Sequence, residues 1–137
     1  MSVTLTDHDR ATLRTAAYGA VSLISATGVA GGSPHKAATG GSIALASATG
    51  PTGHVLANVK AKEITLKGKN VAELADQVLP ALTAAMSLLK QQDPAEADNF
   101  RNTVLIAVES ATRPDKAAPA PALVDMTRKI TAALDAA

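Results

Sequence analysis

The sequence predicts an all-α protein: a compact bundle of four main helices with one or two short ones added. Three observations carry that expectation. Residues 70–91 place Val71, Leu74, Ala75, Val78, Leu79, Leu82, Ala85, Met86 and Leu89 at three- and four-residue steps, which is one face of a helix. Two strong helix starts stand elsewhere in the chain, at Thr6-Asp7-His8-Asp9 and at Asp93-Pro94-Ala95-Glu96. Finally, the chain has one Tyr, one Phe and no Trp. A core built from Leu, Val, Ile and Ala favours close helix–helix approach over the bulky interior of a β-sandwich.

Taken in order, the first helix begins at a T-x-x-D pattern, Thr6 to Asp9, with Asp7 also suiting the positive end of the helix dipole. Leu13, Ala16, Ala17, Ala20, Val21 and Ile24 form its apolar stripe, and Gly28, Gly31 and Gly32 end it near Thr27. Ser33-Pro34 reads as the cap and first residue of a second helix, weakened by Gly40 and Gly41. Ile43, Ala44, Leu45 and Ala48 would be its packed face. Gly50-Pro51-Thr52-Gly53 is a turn. A short third helix is expected over about 52–61, packing Val55, Leu56 and Val59. Residues 63–67 alternate polar and apolar, but one extended segment without a partner makes no sheet.

The helix over 70–91 opens with Asn70 as cap and Glu73 three residues on. Pro80 lies inside it, removing one backbone donor and crowding the Asp76 carbonyl, so a kink or a break is expected there. The next helix starts at Asp93-Pro94, buries Phe100, Val104, Ala107, Val108 and Ala111, and ends before Pro114. Residues 115–121, with Pro119 and Pro121 among alanines, form a semi-stiff connector. A last helix from about Ala122 turns Leu123, Met126, Ile130, Ala133 and Leu134 inward. The length of 137 residues fits one domain, 1–137, with a real core.

The stretch Leu5-Thr6-Asp7 followed by Leu13-Arg14-Thr15-Ala16-Ala17-Tyr18-Gly19-Ala20-Val21 resembles the opening of small all-helical proteins of unknown function from high-GC actinobacteria. The likeness covers the first helix. It implies a helical domain of bacterial source and assigns no functional residue.

Charge and composition exclude several activities. The net charge of +1 gives no strong overall field toward nucleic acid or an anionic membrane. There is no Cys, hence no disulfide framework and no thiolate ligand or nucleophile, which suits a cytoplasmic protein. The first residues hold Asp7 and Asp9 where an export signal would carry Lys or Arg, so none is expected. His8, His35 and His54 form neither H-E-x-x-H nor E-x-x-H, and no metal or cofactor is expected. The carboxylates are dispersed and read as caps and dipole partners, with Glu73 and Asp76 on one helix face and Asp98 and Arg101 on another. No catalytic constellation emerges. Residues 15–35 and 37–59 carry no formal charge and are long enough to span a bilayer. Ser, Thr, Gly and Pro dilute both, so membrane insertion is not the expectation.

Two stretches are candidate sites. The glycine-rich run 28–36 enters an expected helix start, and Gly32, Ser33, His35 and Lys36 are candidates for holding an anion. A phosphate-binding Walker loop would need G-x-x-x-x-G-K-[ST] after a strand; here Pro34-His35 intervenes and the preceding element is helical, which favours a plain helix–helix turn. Lys60, Lys62, Lys67 and Lys69 are the one dense basic cluster, candidates for meeting an acidic surface. No stacking aromatic lies near them to suggest nucleic acid, and a solvated loop is the favoured reading. The functional expectation is a non-enzymatic structural or interaction protein that self-associates through small-residue helix faces, as a homo-oligomer with a protein partner possible. The alternatives are an anion- or small-molecule-binding module using 28–36, and an adaptor for acidic surfaces using 60–69.

Overall fold

The structure, a computed structural model, describes residues 5–27, 53, 55–56, 70–112 and 121–137. Among the described residues four long helices stand out: α1, Asp7–Thr27; α2, Val71–Gln92; α3, Pro94–Thr112; and α4, Pro121–Asp135. The described residues contain no strand. The helices pack into an all-α bundle. Contact is most extensive between α1 and α2, each of which also meets α3 and α4, whereas α3 and α4 meet least.

Local chemistry sets each start. Thr6 caps α1 reciprocally with Asp9: the Asp9 amide donates to Thr6 Oγ1 at 3.0 Å, and the Thr6 amide donates to Asp9 Oδ2 at 3.0 Å. Two amides that the first turn would otherwise leave unpaired are thereby satisfied. Asn70 Oδ1 accepts from the Glu73 amide at 2.9 Å and caps α2. Asp93 serves two helices at once. Its amide donates to the Leu89 carbonyl at 2.7 Å, closing α2, and its Oδ1 accepts from the Ala95 amide at 3.0 Å, opening α3. With extended backbone at φ −158°, Asp93 alone separates the two helices. Pro94 follows at the first helical position, where its missing N–H costs nothing.

Helix α2 runs unbroken through Pro80. Of the two expectations at that position, the break does not occur. Pro80 is exposed, so its ring meets solvent rather than the core.

The core is a single cluster drawn from all four helices. Leu13, Ala16, Ala17, Ala20, Val21, Leu23 and Ile24 come from α1; Leu74, Val78, Leu82, Ala85, Met86 and Leu89 from α2. Helix α3 adds Ala97, Phe100, Val104, Ala107 and Val108, and α4 adds Leu123, Met126, Ile130 and Leu134. Val55 and Leu56, both helical, join the same cluster, as expected from their apolar pairing. The bounds of a short helix around them, the expected helix from Ser33 and the alternating stretch 63–67 lie outside the described residues.

Thr reconciles a polar composition with helices. Thr12, Thr27, Thr103, Thr127 and Thr131 each turn the hydroxyl back onto the carbonyl four residues earlier, at 2.7–3.0 Å. Thr103 is buried on α3 and is satisfied in this way. Among the described residues no buried side-chain nitrogen or oxygen lacks a partner.

Candidate functional site

The candidates Gly32, Ser33, His35 and Lys36, and likewise Lys60, Lys62, Lys67 and Lys69, lie outside the described residues. The described helices add three sets of side chains with definite geometry, together with one exposed face.

The first set joins α1 to Val55 and Leu56. Arg14 Nε donates to the Val55 carbonyl at 3.3 Å, and the Tyr18 hydroxyl donates to the Leu56 carbonyl at 2.6 Å. Arg14 and Tyr18 stand one helical turn apart, so they present donors to two successive carbonyls. Burial raises the Tyr18 hydroxyl above its ordinary pKa, and the nearby Arg14 charge partly opposes that rise. This contact was not legible in advance, because the pairs are 41 and 38 residues apart.

The second set gathers at the C-terminal end of α4, whose own last turn carries no basic residue. Arg101 of α3 grips Asp135 with two nitrogens, Nε at 2.7 Å from Oδ1 and Nη2 at 3.3 Å from Oδ2. Lys90 of α2 donates to the Ala137 carbonyl at 2.7 Å, and Thr83 Oγ1 donates to the Ala133 carbonyl at 2.7 Å. Neighbouring helices therefore bring two cations to a helix end that favours positive charge. The Arg101 hydrogen bond holds the Asp135 carboxyl below its ordinary pKa, and the same bond raises Arg101. Sequence spacing pairs Arg101 with Asp98 on its own helix; the hydrogen bond instead goes across to Asp135, while Asp98 acts on Arg101 only through its charge.

The third set is ordinary surface pairing: Arg10 with Asp7 at 3.4 Å and Lys129 with Asp125 at 3.3 Å, both exposed. Such pairs are worth little. His8 is exposed. Among the described residues no three His, Asp or Glu side chains could hold a metal ion, and no helix is long and apolar enough to cross a membrane.

One face remains. Asp98, Asn102, Ile106 and Glu109 are all exposed and recur at steps of four, four and three along α3. Ile106 is 58 % exposed, the most exposed large apolar side chain among the described residues; Val124 on α4 follows at 45 %. The stripe has an acid at either end, an aliphatic side chain between, and no base.

Charge is divided unevenly over the chain. The described residues hold ten carboxylates against six Lys and Arg, a net −4. Residues 28–69 hold five Lys against Glu63, a net +4, and 113–120 add +1 through Arg113, Asp115 and Lys116. The near-neutral total of +1 thus hides an acidic bundle joined by basic connections.

The small side chains of α1 are committed within the subunit. Ala16, Ala17 and Ala20 are fully buried, and Gly19 is buried beside them. They let α1 approach its neighbours closely, so this part of the small-residue surface is spent on packing within one subunit. The remainder of the Ala-, Ser- and Gly-rich stretch, 28–52, lies outside the described residues.

Comparison of the chain with protein-family models, with curated proteins and with solved structures finds no match.

Proposed function

We propose that this chain is a non-enzymatic interaction protein of the cytoplasm that associates with copies of itself. The observation that carries this reading is the division of charge. The described residues carry a net −4 and the stretch 28–69 a net +4, and charges of opposite sign on two copies attract. The roles of the described carboxylates support the non-enzymatic part: Asp9 and Asp93 cap helices, and Asp7, Asp125 and Asp135 pair with bases. The burial of Ala16, Ala17 and Ala20 moves the association away from the small-residue face of α1. Sedimentation equilibrium over a wide concentration range tests the reading. Self-association should appear as a mass rising above 13.8 kDa with concentration; a single species at that mass throughout would overturn it.

A second reading rests on the same +4 stretch: an adaptor that presents Lys60, Lys62, Lys67 and Lys69 to an acidic surface on another protein. It gains ground if the chain stays monomeric.

A further inference from the structure

We propose that Met126 is an oxidation site that works as a switch. A peroxide-class oxidant reaches its sulfur when the first turns of α4 lift off the bundle, and the sulfoxide keeps them from closing again. The switch acts within one chain, whether or not copies associate.

The way α4 is held sets where it opens. Among the described residues, every hydrogen bond from another helix to this end of the chain falls between Ala133 and Ala137. Thr83 donates to the Ala133 carbonyl, Lys90 to the Ala137 carbonyl, and Arg101 to the Asp135 carboxylate. Nearer the start, the Thr127 and Thr131 hydroxyls bond only back onto α4 itself, at the Leu123 and Thr127 carbonyls. Burial follows the same gradient. Ile130 and Leu134 are fully buried, whereas Leu123 and Met126 are 9 % and 7 % exposed. The start also lacks support from charge. Helices α1, α2 and α3 each carry an acid in the first turn, and α4 carries none. Local opening begins where a helix is held least, so 121–127 lift while the clamped end stays docked. Met86 packs in the same core but on α2, a helix capped at both ends by Asn70 and Asp93.

The chemistry then favours the open form. The sulfur lone pair attacks one oxygen of hydrogen peroxide, and an S–O bond forms as the O–O bond breaks. Sulfur gives up two electrons, and the departing hydroxide takes the proton of the new S–OH group, leaving sulfoxide and water. The sulfoxide oxygen is an acceptor. Among the described residues no buried side-chain donor stands without a partner. Closing α4 over the sulfoxide would therefore bury an acceptor with nothing to meet it. Reduction of the sulfoxide restores the apolar side chain and the closed helix.

Hydrogen peroxide and peptide mass spectrometry test the switch, since trypsin places Met86 and Met126 in separate peptides, 70–90 and 117–128. Met126 should oxidise about tenfold faster than Met86 in the folded protein, and both should react at one rate in denaturant. Ala122→Glu supplies an acid to the exposed first turn of α4 and should slow Met126 about two- to fivefold, leaving Met86 unchanged. In hydrogen exchange, amides 125–128 should exchange faster than 130–134, and about tenfold faster again once Met126 is oxidised. Met126→Leu keeps an apolar side chain of similar volume and should make that exchange blind to peroxide. Equal oxidation of the two methionines in the folded protein, or a difference that persists in denaturant, overturns selective opening. A Met126 rate that ignores Ala122→Glu places the attack on the closed helix and overturns it as well. Exchange that oxidation leaves unchanged overturns the switch.

Discussion

The Tyr18 hydroxyl donates a 2.6 Å hydrogen bond to the Leu56 carbonyl, 38 residues further along the chain. It fastens the middle of the long α1–α2 connection to the first helix, beside Arg14 and Val55. Tyr18→Phe keeps the ring and removes the donor, so about 1–2 kcal/mol should be lost in denaturant melts. Unchanged stability would show that another group satisfies the Leu56 carbonyl.

The same residue makes the protein sensitive to base. Tyr18 is the one tyrosine and there is no tryptophan, so phenolate absorbance reports it alone. Burial raises its folded pKa, which means that folding favours the neutral hydroxyl. That contribution is fully present below the unfolded value of about 10 and is lost as pH rises through the higher folded value. The folded protein should titrate above the unfolded one; a midpoint at or below the unfolded value would contradict the buried hydroxyl.

Asp135 behaves in the opposite sense. Its folded pKa is lowered by Arg101, so folding favours the carboxylate. The contribution is present above the ordinary carboxylate value and disappears as pH falls through the lower folded one. Arg101→Gln should move the Asp135 carboxyl upward in a nuclear magnetic resonance titration. The stability difference between the two proteins should also vanish in acid. Arg101→Lys should restore only part of the effect, since an ammonium cannot grip both oxygens as a guanidinium does. An Asp135 titration identical in all three would remove the ion pair from solution.

Helix positions were legible because they follow from local chemistry. The caps at Thr6, Asn70 and Asp93 are read from residues three apart, and the inward faces from spacing, so α1 and the inward residues of α4 emerge as expected. Leu23 and Ala97 escaped the stripes because wide burial on a helix packed on several sides exceeds a narrow apolar face. The tertiary polar contacts were not legible. Nothing local marks Arg101 for Asp135 over Asp98, or Tyr18 for a carbonyl beyond a glycine-rich stretch, because both depend on how helices cross. Ile106 lies outside the inward set Phe100, Val104, Ala107, Val108 and Ala111 read from spacing, and it is exposed.

Burial separates two aliphatic residues that composition treats alike. Leu82 is fully buried in the middle of α2, and Leu82→Ala should cost about 2–5 kcal/mol. Ile106→Ala should fall within about 0.5 kcal/mol of wild type, as exposed sites do. If melts reverse that order, the inward face of α2 and the outward face of α3 are both misplaced. Pro80→Ala restores a backbone donor on the exposed side of α2 and should change stability by less than the Leu82 truncation.

Ala17 and Ala20 decide where the small residues of α1 are used. Both are fully buried within the subunit, one turn apart along the helix. Enlarging either to Leu inserts three heavy atoms where a methyl group now packs. Overpacking of this kind costs about 1–3 kcal/mol, with side chains forced from their preferred rotamers. The loss should appear in denaturant melts at every protein concentration, because the crowded contact lies inside one chain. Were α1 instead the surface between copies, the same substitutions would leave the unfolding of the dilute monomer unchanged and shift only the mass at high concentration. Melts at low concentration therefore separate the two uses. A large loss there assigns the alanines to the core of one subunit.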